Sequence, residues 1–130
     1  MQRILVILGP AVLLAGASPG PVEGQVVGPR PALVTDSAVA RGREVFLTGV
    51  CATCHGADGK GSARGPDLTD STWTTGAGSY EEIVRQVIHG ERPATRTNMV
   101  PMPMRGWEPI SHQDIQAVAA YVWTLSRDRP

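Results

Sequence analysis

The clearest hydrophobic pattern in the chain starts at Ser79. Ser79 and Glu82 have capping-box spacing, and Ile83, Val84, Val87 and Ile88 then share one helical face that ends at Gly90. A second such pattern opens at Ser111 and Asp114. There Ile115, Val118, Ala119 and Val122 line one side, flanked by Tyr121 and Leu125. A third runs from Asp36, a candidate cap, to about Thr48, with Val39, Gly42, Val45 and Phe46 on neighbouring turns and Gly49 as a stop. Between these segments the chain is polar or irregular. Residues 56–70 (GADGKGSARGPDLTD) form a glycine-rich loop, and residues 91–109 carry four prolines. No alternation of the kind a strand needs persists, and no repeat occurs. The pattern predicts a small all-α protein of three to five helices, with loops longer than a minimal bundle requires.

The N-terminal end follows a different pattern. Arg3 precedes a fourteen-residue apolar run, Ile4 to Ala17, which is shorter than the ~20 residues of a membrane span and matches a secretory leader. Cleavage after residue 17 or after residue 24 fits the small residues there. The expected organisation is a signal peptide over 1–24, a flexible Pro/Gly-rich linker over 25–35, and one folded domain over 36–130. An uncleaved anchor is the competing reading, and only then would the chain contact a membrane. Twelve Lys and Arg, eleven of them Arg, balance twelve Asp and Glu. That neutrality argues against a nucleic-acid partner and against long-range steering to a strongly charged one.

Both cysteines of the chain stand in Cys51-Ala52-Thr53-Cys54-His55. Cys-x-x-Cys-His is the attachment pattern of c-type haem. One helical turn sets Cys51 and Cys54 on the same side, where their sulfurs can bond the two vinyl groups along one porphyrin edge. His55, next along the turn, then reaches the iron. A thioredoxin-type redox pair would need a preceding strand in a βαβ unit, which the pattern lacks. A structural zinc site would need four closely spaced ligands, whereas His89 and His112 are distant and unpaired. The leader agrees with haem attachment, which in bacteria takes place outside the cytoplasm, so a periplasmic or other extracytoplasmic location is expected.

From about Asp36 to Ser126 the chain resembles class I cytochromes c, most of all short bacterial members and the haem c domains of respiratory oxidase subunits. The likeness rests on three ordered segments: GREVFLTGVCATCHGADGKG, GPDLTDSTW and ISHQDIQAVAAYVWTLS. It implies a cytochrome c fold packed around one haem c, with its iron, attached through Cys51 and Cys54. It also implies that Gly42 and Phe46 pack across the terminal helix near Tyr121. Pro66 corresponds to the proline whose carbonyl holds the proximal histidine, Leu68 to a residue packed on the haem, and Trp73 to an aromatic near the haem edge. Taken without the resemblance, Pro66 and Leu68 would be an ordinary turn and a core leucine.

Haem iron held between histidine and methionine is the electron-transfer arrangement. Three methionines, Met99, Met102 and Met104, crowd the proline-rich stretch before the last helix. Met102-Pro103, followed by Gly106 and the cap at Ser111, best matches the family order, so His55 and Met102 are the expected iron ligands. Met99 and Met104 are then haem-edge packing. His89 is the rival ligand, though a histidine at a helix end more often serves the dipole, and His112 reads as solvated. Trp73, Trp107 and Trp123 read first as packing, and only the resemblance makes Trp73 a site candidate. Arg64, Arg92, Arg96 and Arg105 read as exposed charges with a secondary option of pairing haem propionates.

The expected function is that of an exported, non-enzymatic carrier of single electrons between a redox-protein donor and acceptor. A permanently bound haem subunit of a dehydrogenase or oxidase is the alternative, and it predicts an apolar patch around the haem edge. A gas-sensing or peroxidase-like protein would need an open sixth position on the iron.

Overall fold

The computed structural model describes residues 29–92 and 100–127. The expected leader, Met99 and Arg96 lie outside those residues. Among these residues are four α-helices, α1 (Asp36–Thr48), α2 (Cys51–His55), α3 (Tyr80–His89) and α4 (His112–Leu125), with a 3-10 turn at Met104–Trp107 before α4. Among the described residues there is no strand, only an isolated antiparallel bridge between Glu91 and Met102. The all-α architecture is therefore as expected.

Local chemistry explains the helix starts. At α3 the Ser79 hydroxyl accepts from the Glu82 N–H while the Glu82 carboxylate accepts from the Ser79 N–H, so both halves of the capping box form. At α4 the Ser111 hydroxyl accepts from the Asp114 N–H at 3.0 Å. The cap of α1 is Thr35, whose hydroxyl accepts from the Ala38 N–H at 3.1 Å, and not Asp36. Asp36 is instead the first helical residue. Its carboxylate favours the positive end of the helix dipole and pairs with Arg30 at 2.9 Å. The end of the expected linker also departs from a free tether, because Val34 is only 2% exposed and belongs to the core.

The two long helices α1 and α4 cross at Gly42. A side chain there would overlap the Ala117 carbonyl and crowd Tyr121, so the crossing depends on a residue without Cβ. One turn on, the rings of Phe46 and Tyr121 meet edge to face, 5.4 Å between centroids. Arg41 on α1 donates to the Asp114 carboxylate of α4 at 2.8 Å. The Tyr80 hydroxyl of α3 donates to the Gln116 carbonyl of α4 at 3.3 Å. Helix α4, buried along most of its length, is thus the spine on which α1 and α3 rest. The short α2 follows directly on α1 and leaves one side of this frame open.

Candidate haem site

That open side is a pair of adjoining solvent-open clefts of about 890 and 960 Å³ that share Cys51, His55, Pro66, Val87, Val100 and Met102 in their walls. The first is floored by Phe46, Leu68, Ile83, Val118 and Val122, with Trp73 and Thr72 at its side. The second runs along Cys54 and Thr53 toward Gly106 and Trp107. An open cleft with so apolar a lining suits a large flat apolar ligand.

Helix α2 presents the chemistry. His55 is 8% exposed, and its Nδ1–H donates to the Pro66 carbonyl at 3.0 Å. The loop that carries Pro66 is folded beneath α2. The Gly61 N–H donates to the His55 carbonyl at 2.7 Å, and the Leu68 N–H to the Gly59 carbonyl at 2.7 Å. With Nδ1 engaged, the tautomer leaves Nε2 with its lone pair available. No protein hydrogen bond to Nε2 is made among the described residues. Burial pushes the His55 pKa below 6.5, although the Pro66 bond opposes it, so the ring is a neutral imidazole at pH 7. Neutral imidazole is the form that binds a metal.

Cys51 and Cys54 are both free and half-buried on the cleft wall. Burial raises the Cys51 thiol above its ordinary 9.0, with Glu108 adding to the effect, so it remains a neutral thiol at pH 7. Two unpaired thiols, an imidazole with an unused Nε2 and an apolar cleft fit a covalently tethered, metal-centred macrocycle. Among the described residues no group of three or more His, Cys, Asp or Glu is arranged to hold a bare metal ion.

Of the other sequence candidates, Pro66, Leu68, Trp73 and Met102 all line the clefts. Met104 does not; it opens the 3-10 turn and is 63% exposed. His89 and His112 are exposed and line neither cleft. Arg64 and Arg105 lie at the rim of the second cleft, whereas Arg92 is exposed away from both. Trp123 is buried packing. Trp107 is not; it stands 80% exposed at the rim. Its backbone and that of Arg105 lie in the left-handed region, at φ 61° and 51° around Gly106, which turns the indole outward. Sequence reasoning placed Ile83 and Val87 on an apolar helix face without assigning that face to the cleft. It missed Val100, Gln86, Thr72, Thr74 and Thr75 altogether. The helical period supplied a signal for the first two, and nothing local marked the rest.

A small helical domain with Cys-x-x-Cys-His on a helix beside an apolar cleft defines a covalent haem-binding protein. The cytochrome c family profile matches residues 39–126, and the chain belongs to that family, in its class I monohaem form, with haem c attached through Cys51 and Cys54. It is 40% identical over 99 residues to the cbb3-type cytochrome c oxidase subunit CcoP of Rubrivivax gelatinosus, covering 75% of this chain and 30% of that subunit. It is 35% identical over 63 residues to cytochrome c-555 of Methylococcus capsulatus, covering 48% of this chain and 51% of the relative. The chain therefore spans about a third of the oxidase subunits it resembles. The solved cytochrome cL of Methylophaga aminisulfidivorans shares the fold, with a TM-score of 0.54 and 23% identity over 72% of this chain and 59% of that one. The c-type cytochrome XoxG of Methylobacterium extorquens gives a TM-score of 0.51 at 26% identity, over 68% and 50% of the two chains. Relatives named simply as cytochromes c and relatives named as oxidase or dehydrogenase subunits both occur, the latter including the fructose dehydrogenase cytochrome subunit of Gluconobacter japonicus.

Proposed function

We propose that the chain is an exported, non-enzymatic one-electron carrier whose iron ligands are His55 and Met102. The observation that carries the ligand assignment is that Met102 lines the same two clefts as His55, while Met104 faces solvent. Bound there, haem supplies a ferrous/ferric couple whose potential a thioether ligand raises. The protein's part is to hold the ligands and keep water out. Pro66 fixes the His55 ring and increases its basicity through the Nδ1 bond. Met102 is held by paired backbone bonds, its N–H to the Glu91 carbonyl at 2.8 Å and the Glu91 N–H to its own carbonyl at 2.9 Å. Leu68, Ile83 and Val87 make the surroundings apolar. Trp73 shields one side of the cleft.

Export is supported by the apolar leader at residues 4–17. No helix among the described residues is long and apolar enough to cross a membrane. The donor and acceptor in this reading are larger redox proteins. A second reading, a haem domain held permanently in an oxidase or dehydrogenase complex, is favoured by the exposed Val100, Met104 and Trp107 near the cleft mouth, together with the oxidase-subunit relatives.

The test is made on haem-loaded protein. The ferrous form is expected to show no spectral change under carbon monoxide, and acid acetone is expected to leave the haem on the chain. Ready carbon monoxide binding would overturn the carrier reading, and extractable haem would overturn attachment through Cys51 and Cys54. Stoichiometric co-purification with a larger redox protein at high salt decides for the permanent-subunit reading.

A further inference from the structure

We infer that Arg127 is a positioning residue for the haem cleft: it fixes the Gly78 backbone on which the Trp73 indole rests, and so holds that indole at the cleft wall. The inference rests on the reading that the cleft holds haem and that Trp73 borders it.

Trp73 belongs to a loop that leaves the cleft floor and enters α3. Gly78, near the end of that loop, is buried with φ +70°, and a Cβ there would run into Cε2 and Nε1 of the Trp73 indole. The indole therefore lies directly on the peptide backbone at residue 78, and whatever fixes that peptide fixes the ring. Helix α3 ties the loop on one side. The Glu82 carboxylate accepts from the Ala77 and Ser79 N–H groups at 3.0 and 2.9 Å, and the Gln86 amide donates to the Thr75 carbonyl at 3.3 Å.

Arg127, just past the end of α4, supplies a tie on the other side. Its Nη2–H donates to the Gly78 carbonyl at 3.1 Å, across 49 positions of sequence. The guanidinium is itself held in place. It stacks over the Trp123 ring, 4.4 Å from Cζ to centroid, and its Nη1–H groups donate to the Trp123 carbonyl at 3.3 Å and the Ser126 hydroxyl at 3.1 Å. A planar, stacked fork loses little freedom on making a further bond, which a lysine ammonium cannot reproduce. Without the Arg127 bond, the 78–79 peptide keeps only the tie from its Ser79 N–H to Glu82, and the indole resting on it can shift from the wall. More water then reaches the haem side of the cleft. A wetter haem environment favours the more highly charged ferric state and lowers the potential.

Loss of a nearby positive charge would also lower the potential, so the test is a double-mutant cycle on haem-loaded protein. The midpoint potential is measured for wild type, Arg127→Ala, Trp73→Ala and the double variant. Arg127→Ala is expected to shift the ferrous/ferric equilibrium about threefold toward ferric, ~28 mV at about 59 mV per decade. In the Trp73→Ala background that shift should vanish. Arg127→Lys, which keeps the charge and loses the fork, should reproduce the drop. The same shift in both backgrounds, or a wild-type potential in Arg127→Lys, overturns the inference. If Arg127→Ala does not fold, the cycle is run with Arg127→Lys, and the same coupling to Trp73 decides. Wild-type protein without covalent haem would instead sink the reading of the cleft, which is a different result.

Discussion

A single methyl group at Gly42 tests how the frame around the cleft is held. Gly42→Ala raises the helix propensity of α1 by about 1 kcal/mol, so an isolated helix would gain stability. In the folded protein the new Cβ overlaps the Ala117 carbonyl and comes within 2.9 Å of the Tyr121 Cβ. Neither neighbour yields readily, because one is helix backbone and the other is the root of a ring packed on Phe46. Relief requires α1 and α4 to move apart, and overpacking of a dense core costs ~1–3 kcal/mol. With a backbone carbonyl as the obstacle, the upper end applies. The net loss is then about 2 kcal/mol, which lowers Tm by roughly 8–16 °C for a domain of about this size. The assay is unfolding of haem-loaded protein followed by far-UV circular dichroism. Ala40→Gly, at an exposed position of the same helix, calibrates the propensity contribution. An unchanged or raised Tm in Gly42→Ala would refute the close crossing of α1 and α4.

Further outcomes concern charge and surface. The Glu82 carboxyl is held below its ordinary 4.5 by the Ser79 and Ala77 N–H groups. Its contribution is therefore present above pH 4.5 and lost as pH falls through the lowered folded value. Glu82→Gln should lose less stability than wild type as pH falls below 4.5, and parallel acid-unfolding curves would contradict the capping box. Trp107→Ala should change unfolding free energy by less than about 0.5 kcal/mol, because the indole is exposed. In the permanent-subunit reading the same variant weakens co-purification with the partner, and a large loss of stability in the isolated protein would show that the indole packs after all.

Elements whose cause is local were legible in the sequence. The caps at Ser79 and Ser111 depend on residues three apart, and both form where the pattern put them. The α1 cap moved by one residue because Thr35 and Asp36 are adjacent and each can cap. Val34 decides between them, since burying it in the core sets the chain's entry into the helix. The Cys-x-x-Cys-His turn was legible for the same reason, as its chemistry lies within five residues. What sequence pattern did not carry depends on long-range contact. The backbone pairing of Glu91 with Met102 lies inside a proline-rich stretch with no periodicity. The tie from Arg127 to Gly78 joins segments with no shared pattern. An indole usually packs, but at Trp107 two non-glycine residues in left-handed conformation turn it out to solvent.

The ferric optical spectrum of haem-loaded Met102→Ala, set beside wild type and Met104→Ala, tests the central assignment most directly. Wild type should show the sulfur-to-iron charge-transfer band that a methionine ligand produces, Met104→Ala should retain it, and Met102→Ala should lose it. Survival of the band in Met102→Ala would contradict the assignment, as would its absence from wild type.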